Sequence, residues 1–183
     1  YEFGIDFFDT AELYTIPPKA ETQGDSERIV GKWMKARGIR DKVTLATKVA
    51  GRSPMSWIRN GENTRVSPSQ IRQAVEGSLE RLQTDYIDLY QIHWPDRRLN
   101  VFGGEIDGFK VFDNSDAVSI EEQLSTLADF VKEGKIRHLG LSNETPWGTL
   151  EFLKAADKLS LPRVVTVQNA YNLTNRVAEY GLA

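Results

Sequence analysis

A carboxylate, a phenol, an ammonium and an imidazole stand at comparable places along this chain, as Asp9, Tyr14, Lys48 and His93. The apolar stretch Phe7-Phe8 runs directly into Asp9, and Tyr14 follows five residues later on a loop. Val43 to Thr47 delivers Lys48, and Tyr86 to Ile92 delivers His93. Each group lies at or just past the carboxyl end of a strand. If those strands are parallel the four converge, because parallel α/β barrels collect their catalytic groups on that face. Groups of these types donate, accept and steer protons, so the layout argues for an active site.

The elements that must position them alternate between strand and helix, which favours a parallel sheet wound with helices. Ile5 to Phe8 reads as the first strand, and a helix follows from about Ser26 to Ala36, with Asp25 suited to its N-cap and Gly38 to its end. Val43 to Thr47 is the second strand. Ser67-Pro68-Ser69-Gln70 then opens a helix with capping-box spacing and proline in its first turn, and Ile71, Val75, Leu79 and Leu82 form its apolar stripe. Tyr86 to Ile92 is the third strand, and Ser119 caps a helix that turns Leu124, Leu127, Ala128 and Val131 inward before Gly134. Ile136 to Leu141 is the fourth strand, Thr145-Pro146 starts a helix running to about Lys158, and Val164 to Gln168 is the fifth strand, with a further helix expected near Asn175. Two long loops, Ala50 to Val66 and Trp94 to Val118, follow strands two and three; loops of this length in a compact domain are usually functional or mobile.

Five such strands fit either an open doubly wound sheet or part of a closed barrel. No Gly-x-Gly-x-x-Gly follows any strand, so the dinucleotide fingerprint of the open sheet is missing. The expected fold is an incomplete (β/α)8 TIM barrel, about five of eight strands in one partial domain over residues 1–183, an internal piece of a longer chain. Two sheet edges and the inner face of such a piece lie exposed.

Composition narrows the function classes. The net charge of -3, with no block of like charge, leaves no footprint for a nucleic acid or an anionic membrane. The absence of cysteine removes disulfides, thiolate metal sites and cysteine nucleophiles. No apolar run reaches the roughly 20 residues of a membrane helix. A soluble, cytoplasmic protein is the expectation.

Taken together, Asp9, Tyr14, Lys48 and His93 resemble the catalytic tetrad of the aldo-keto reductases, and the words around them match that family. Phe8-Asp9-Thr10-Ala11-Glu12-x-Tyr14, Ala46-Thr47-Lys48-Val49, the run from Leu79 to His93 and the run from Gly134 to Asn143 occur in the family's order. Tyr14-x-Ile16-Pro17-Pro18, Glu21-Thr22-Gln23-Gly24 and Ser142-Asn143-Glu144-Thr145 lean to its Tas-type branch, although many members carry an aromatic where Glu144 stands. The resemblance implies NADPH-dependent reduction of a small-molecule aldehyde or ketone. Tyr14 would be the general acid. Lys48 would ease proton loss from a phenol whose free pKa is about 10, Asp9 would pair with the lysine, and His93 would hydrogen-bond the substrate oxygen. The same resemblance sets the nicotinamide carboxamide against Ser142, Asn143 and Gln168, whose hydroxyl and amides match its donor and acceptor. The family's stacking aromatic and its basic pocket for the adenosine 2'-phosphate come from two later strand-loop units beyond this chain.

Bland readings stand beside these. Ser142 and Asn143 could cap the next helix, His138 reads as a partly buried structural residue, and Arg97-Arg98 as a solvated pair with a cofactor phosphate as the alternative. Trp57 and Trp94 on the long loops are candidates for an apolar substrate pocket. Two other functions compete. A cofactor-binding regulatory subunit resembling the potassium-channel beta subunits would share the barrel, but those subunits lack the histidine that stands here as His93. A metal-assisted enzyme using Asp9 and His93 would have to manage with two histidines, no cysteine and no His-x-His or His-Glu-x-x-His spacing.

Overall fold

The structure, a computed structural model, describes residue 1, residues 3–99 and residues 111–182. Residues 100–110 of the second long loop therefore lie outside the described residues. Five strands, β1 (Phe7–Asp9), β2 (Thr44–Val49), β3 (Ile87–Ile92), β4 (Ile136–Ser142) and β5 (Val164–Gln168), form one sheet in chain order, every neighbouring pair parallel. Four helices follow the first four strands: α1 (Asp25–Arg37), α2 (Pro68–Leu82), α3 (Ile120–Lys132) and α4 (Pro146–Leu159). This is half of a (β/α)8 barrel.

Local chemistry explains the helix boundaries. Ser67, Ser119 and Thr145 each accept a hydrogen bond from the backbone N–H three residues on, which satisfies one of the orphan donors of a first turn. Pro68 and Pro146 occupy first-turn positions where no N–H is needed. The cap of α1 differs from the expectation: Gly24, in the left-handed region at φ 76°, precedes the helix, and Asp25 is its first residue. Gln70 does not reach back to close a capping box either; its side chain accepts from the Arg65 N–H and donates to the Asn63 carbonyl, pinning the preceding loop.

The apolar stripe of α2 packs as its spacing requires, with Ile71, Val75, Leu79 and Leu82 buried against β2 and β3. Each such side chain contributes about 1.5–3 kcal/mol by leaving water. Both faces of β3 are buried along its whole length, as in a strand roofed by helices on one side and by barrel-facing residues on the other. At the amino-terminal end of the sheet, buried Asp88 accepts from Arg40, from Arg137 and from the Leu45 backbone N–H, joining β2, β3 and β4. The sheet margins are open. Phe7 on β1 is 51 % exposed and Val165 on β5 is 58 % exposed.

Three further expectations are corrected. The strand carrying Lys48 runs on through Val49, so the lysine lies within β2 rather than past its end. His138 is exposed on β4 rather than partly buried, because the hollow it faces is open. In place of a helix near Asn175 there is a single 3-10 turn, Val177–Tyr180.

Candidate active site

Parallel register brings the four groups together. Ala46 pairs with Asp9 and with Leu89, and Lys48 pairs with Gln91, so residues two apart along β1, β2 and β3 share the inward face. Lys48, with no exposed surface, donates from Nζ to Asp9 Oδ2 at 2.6 Å and to the Thr10 carbonyl at 2.9 Å. Its ammonium lies 5.3 Å from the centre of the Tyr14 ring. The Tyr14 and His93 rings meet edge to face at 5.5 Å. One small space thus holds all four groups.

Their electrostatics follow from burial. The Tyr14 phenol is raised above its ordinary value, first by burial and second by the Asp9 carboxylate. Burial also lowers Lys48, against the opposing hydrogen bond and charge of Asp9. His93, 6 % exposed, falls to about 3 through burial, with the Lys48 charge adding to the effect and Asp9 opposing it. It is therefore a neutral imidazole across the physiological range, and its buried Nδ1 has no hydrogen-bond partner.

Asp9 anchors more than the lysine. Gln91 Nε2 donates to Asp9 Oδ1 at 2.9 Å, and Gln168 Nε2 from β5 donates to Asp9 Oδ2 at 3.1 Å. Gln168 therefore lies within hydrogen-bond reach of Asp9. Gln91 escaped the sequence reading, though its place two residues before His93 on the same strand face was a usable signal. Asn143, at φ 51°, donates to the His93 carbonyl at 2.9 Å and to Ser142 Oγ at 3.1 Å. Neither Ser142 nor Asn143 caps α4, since Thr145 does. Among the described residues the Ser142 hydroxyl proton and the Asn143 and Gln168 amide oxygens have no partner at the strand ends.

Ion pairs fix the loops that carry these groups. Glu12, two residues before Tyr14, is buried against Arg59: Oε2 accepts from Nη1 at 2.8 Å, Oε1 from Nη2 at 2.5 Å, and Oε1 also from the Ala50 N–H at 2.7 Å. Arg97 is not a solvated residue; it donates to Glu144 Oε1 at 2.6 Å and stacks over Trp147 at 4.9 Å. Glu144 is thus one half of a largely buried pair. Buried Asp96 accepts two bonds from Arg65 and the N–H groups of Val66 and Val118, tying the two long loops together. Gly51 is required where those loops touch, because a Cβ there would come within 2.0 Å of the Trp94 carbonyl oxygen.

Tyr14 and His93 form the floor of a cleft of about 880 Å³. Trp94 lines it and is 5 % exposed, whereas Trp57 stands away from it, 43 % exposed on a 3-10 turn (Ser56–Arg59). Among the described residues no group of three or more His, Cys, Asp or Glu side chains could hold a metal ion, and no helix is long and apolar enough to cross a membrane.

Comparison with known proteins matches residues 1–183 to the model of the aldo/keto reductase family. The chain is 47 % identical over 180 residues to Protein tas of Escherichia coli, covering 98 % of this chain and 51 % of that protein. It is 37 % identical over 176 residues to Aldo-keto reductase YhdN of Bacillus subtilis, covering 96 % and 42 %. The chain thus spans about half the length of the curated relatives it matches. Among solved structures it is similar to an aldo/keto reductase from Klebsiella pneumoniae crystallised with NADP and acetate, at 30 % identity and a TM-score of 0.68, covering 99 % of this chain and 48 % of that one.

Proposed function

Because the chain belongs to the aldo/keto reductase family, we propose that its full-length protein reduces an aldehyde or ketone to an alcohol with NADPH, using Tyr14 as the general acid. The observation that carries this reading is the contact of Tyr14 with both Lys48 and His93 at the floor of the cleft. Bound NADPH supplies the hydride. The residues at the ends of β4 and β5 suit its carboxamide: the Ser142 hydroxyl can donate to the carbonyl, and the free amide oxygens of Asn143 and Gln168 can accept from the amine. The NADP bound to the Klebsiella relative supports the same cofactor here.

His93, held neutral, donates one N–H to the substrate oxygen and fixes the carbonyl beside the phenol. Negative charge growing on that oxygen draws the proton from Tyr14. The phenolate left behind is stabilised by the Lys48 ammonium, 5.3 Å from the ring centre, and is reprotonated from solvent. Asp9 keeps the lysine charged in a site that would otherwise favour its neutral form. The raised resting pKa of Tyr14 keeps its proton in place until oxygen becomes basic.

Tyr14→Phe in the full-length protein tests the assignment. Carbonyl-dependent oxidation of NADPH should fall by about 10²–10⁴-fold, the usual contribution of a positioned acid, while NADPH binding measured by fluorescence holds. Unchanged turnover would remove Tyr14 from the acid role.

A further inference from the structure

The walls of the cleft above Tyr14 and His93 are uneven in charge. Four arginines, Arg52, Arg65, Arg97 and Arg98, line it, and among the described lining residues there is no carboxylate. Their acidic partners are not among the lining residues: Asp116 accepts from Arg52 and Arg98, Asp96 from Arg65, and Glu144 from Arg97. The lining itself thus presents guanidinium groups to the cleft and no acidic side chain. Each guanidinium keeps donors its acid does not use. Much of the remaining lining is apolar or aromatic, including Leu13, Met55, Trp94 and Phe112, with Ser53 and Asn63 among its polar members.

Resting on the proposed carbonyl reduction, we propose that the substrate is an anionic carbonyl compound, with its aldehyde or ketone at Tyr14, an apolar body along the cleft and a carboxylate or phosphate directed to the arginine wall. The arginines serve two ends at once. They hold the two long loops through Asp96 and Asp116, and they give the cleft a field that favours anions. Planar forked donors suit oxyanions of either kind.

The test compares 4-carboxybenzaldehyde, 4-formylphenyl phosphate and the neutral methyl 4-formylbenzoate with the full-length protein. At low ionic strength kcat/KM for an anionic aldehyde should exceed that for the ester by about tenfold, and 1 M salt should erase the preference, since the screening length there is about 3 Å. The ratio between the two anions separates carboxylate from phosphate. Arg98→Gln, which leaves Asp116 with Arg52, should cut the anion-to-ester ratio by about threefold, and Arg98→Lys should restore most of it. Equal turnover of ester and anion would overturn the substrate class while leaving carbonyl reduction standing. No turnover of any of the three, with NADPH bound, would count against the reduction itself. A rise in KM for NADPH in Arg98→Gln with an unchanged ratio would show that the arginines serve a cofactor phosphate and overturn the assignment.

Discussion

Replacing Arg59 by methionine would strip the buried Glu12 carboxylate of its counter-ion two residues from Tyr14. Glu12 is 1 % exposed and Arg59 4 %, so water cannot take over the lost bonds. Two charge-assisted hydrogen bonds vanish, at 2.8 and 2.5 Å, and only the Ala50 N–H remains on the carboxylate. At about 1.5–3 kcal/mol for each bond to a charged group the direct loss is roughly 3–6 kcal/mol, in line with the ~3–5 kcal/mol seen when one partner of a buried pair is removed. Urea unfolding of the full-length protein measures it. Adding Glu12→Gln to Arg59→Met removes the stranded charge, so the double variant should recover about 2 kcal/mol relative to the sum of the singles. Because Glu12 joins the loop after β1 to the loop after β2, the single variant should also lower kcat through misplacement of Tyr14. A single-variant loss below about 1 kcal/mol, or strict additivity in the double, would refute the view that this pair fixes the tyrosine loop.

The remaining predictions concern pH. Asp88 and Asp96 are both held below the ordinary carboxylate value of 3.8; burial opposes the shift, and hydrogen bonds from arginines and backbone N–H groups overcome it. A depressed folded-state pKa gives stability that is full above 3.8 and is lost as pH falls through the depressed values, so unfolding free energy should be flat near neutrality and drop below about pH 4. Persistence of full stability to pH 2 would contradict this. His93, at about 3, should put no inflection near 6.5 into the pH profile of kcat for carbonyl reduction. An inflection between pH 6 and 7 that disappears in His93→Gln would show that the imidazole titrates.

Much of the architecture could be read from the chain because it is written in short-range signals. The stripe of Ile71, Val75, Leu79 and Leu82 and the caps at Ser67, Ser119 and Thr145 each depend on residues within a turn or two. The convergence of Asp9, Lys48 and His93 was legible for a similar reason, since parallel strands place like ends together. What escaped was long-range pairing. Nothing near Arg59 marks it as the partner of Glu12, 47 positions away, and the same separation divides Arg97 from Glu144. Loops of variable course close these pairs, so a charged residue on one of them looks solvated until the fold is known.

The bond from Gln168 to Asp9 has a geometric consequence. Strands β1 and β5 are the two margins of the sheet, separated by four steps of about 4.8 Å each, or roughly 19 Å if the sheet were flat. Two short side chains cannot bridge that gap, yet they meet at 3.1 Å. The sheet is therefore bent into a trough, with one rim bound to the other across its mouth. A change at the far rim is transmitted to the ammonium through a single carboxylate, and the curvature is fixed at the level where the chemistry would take place.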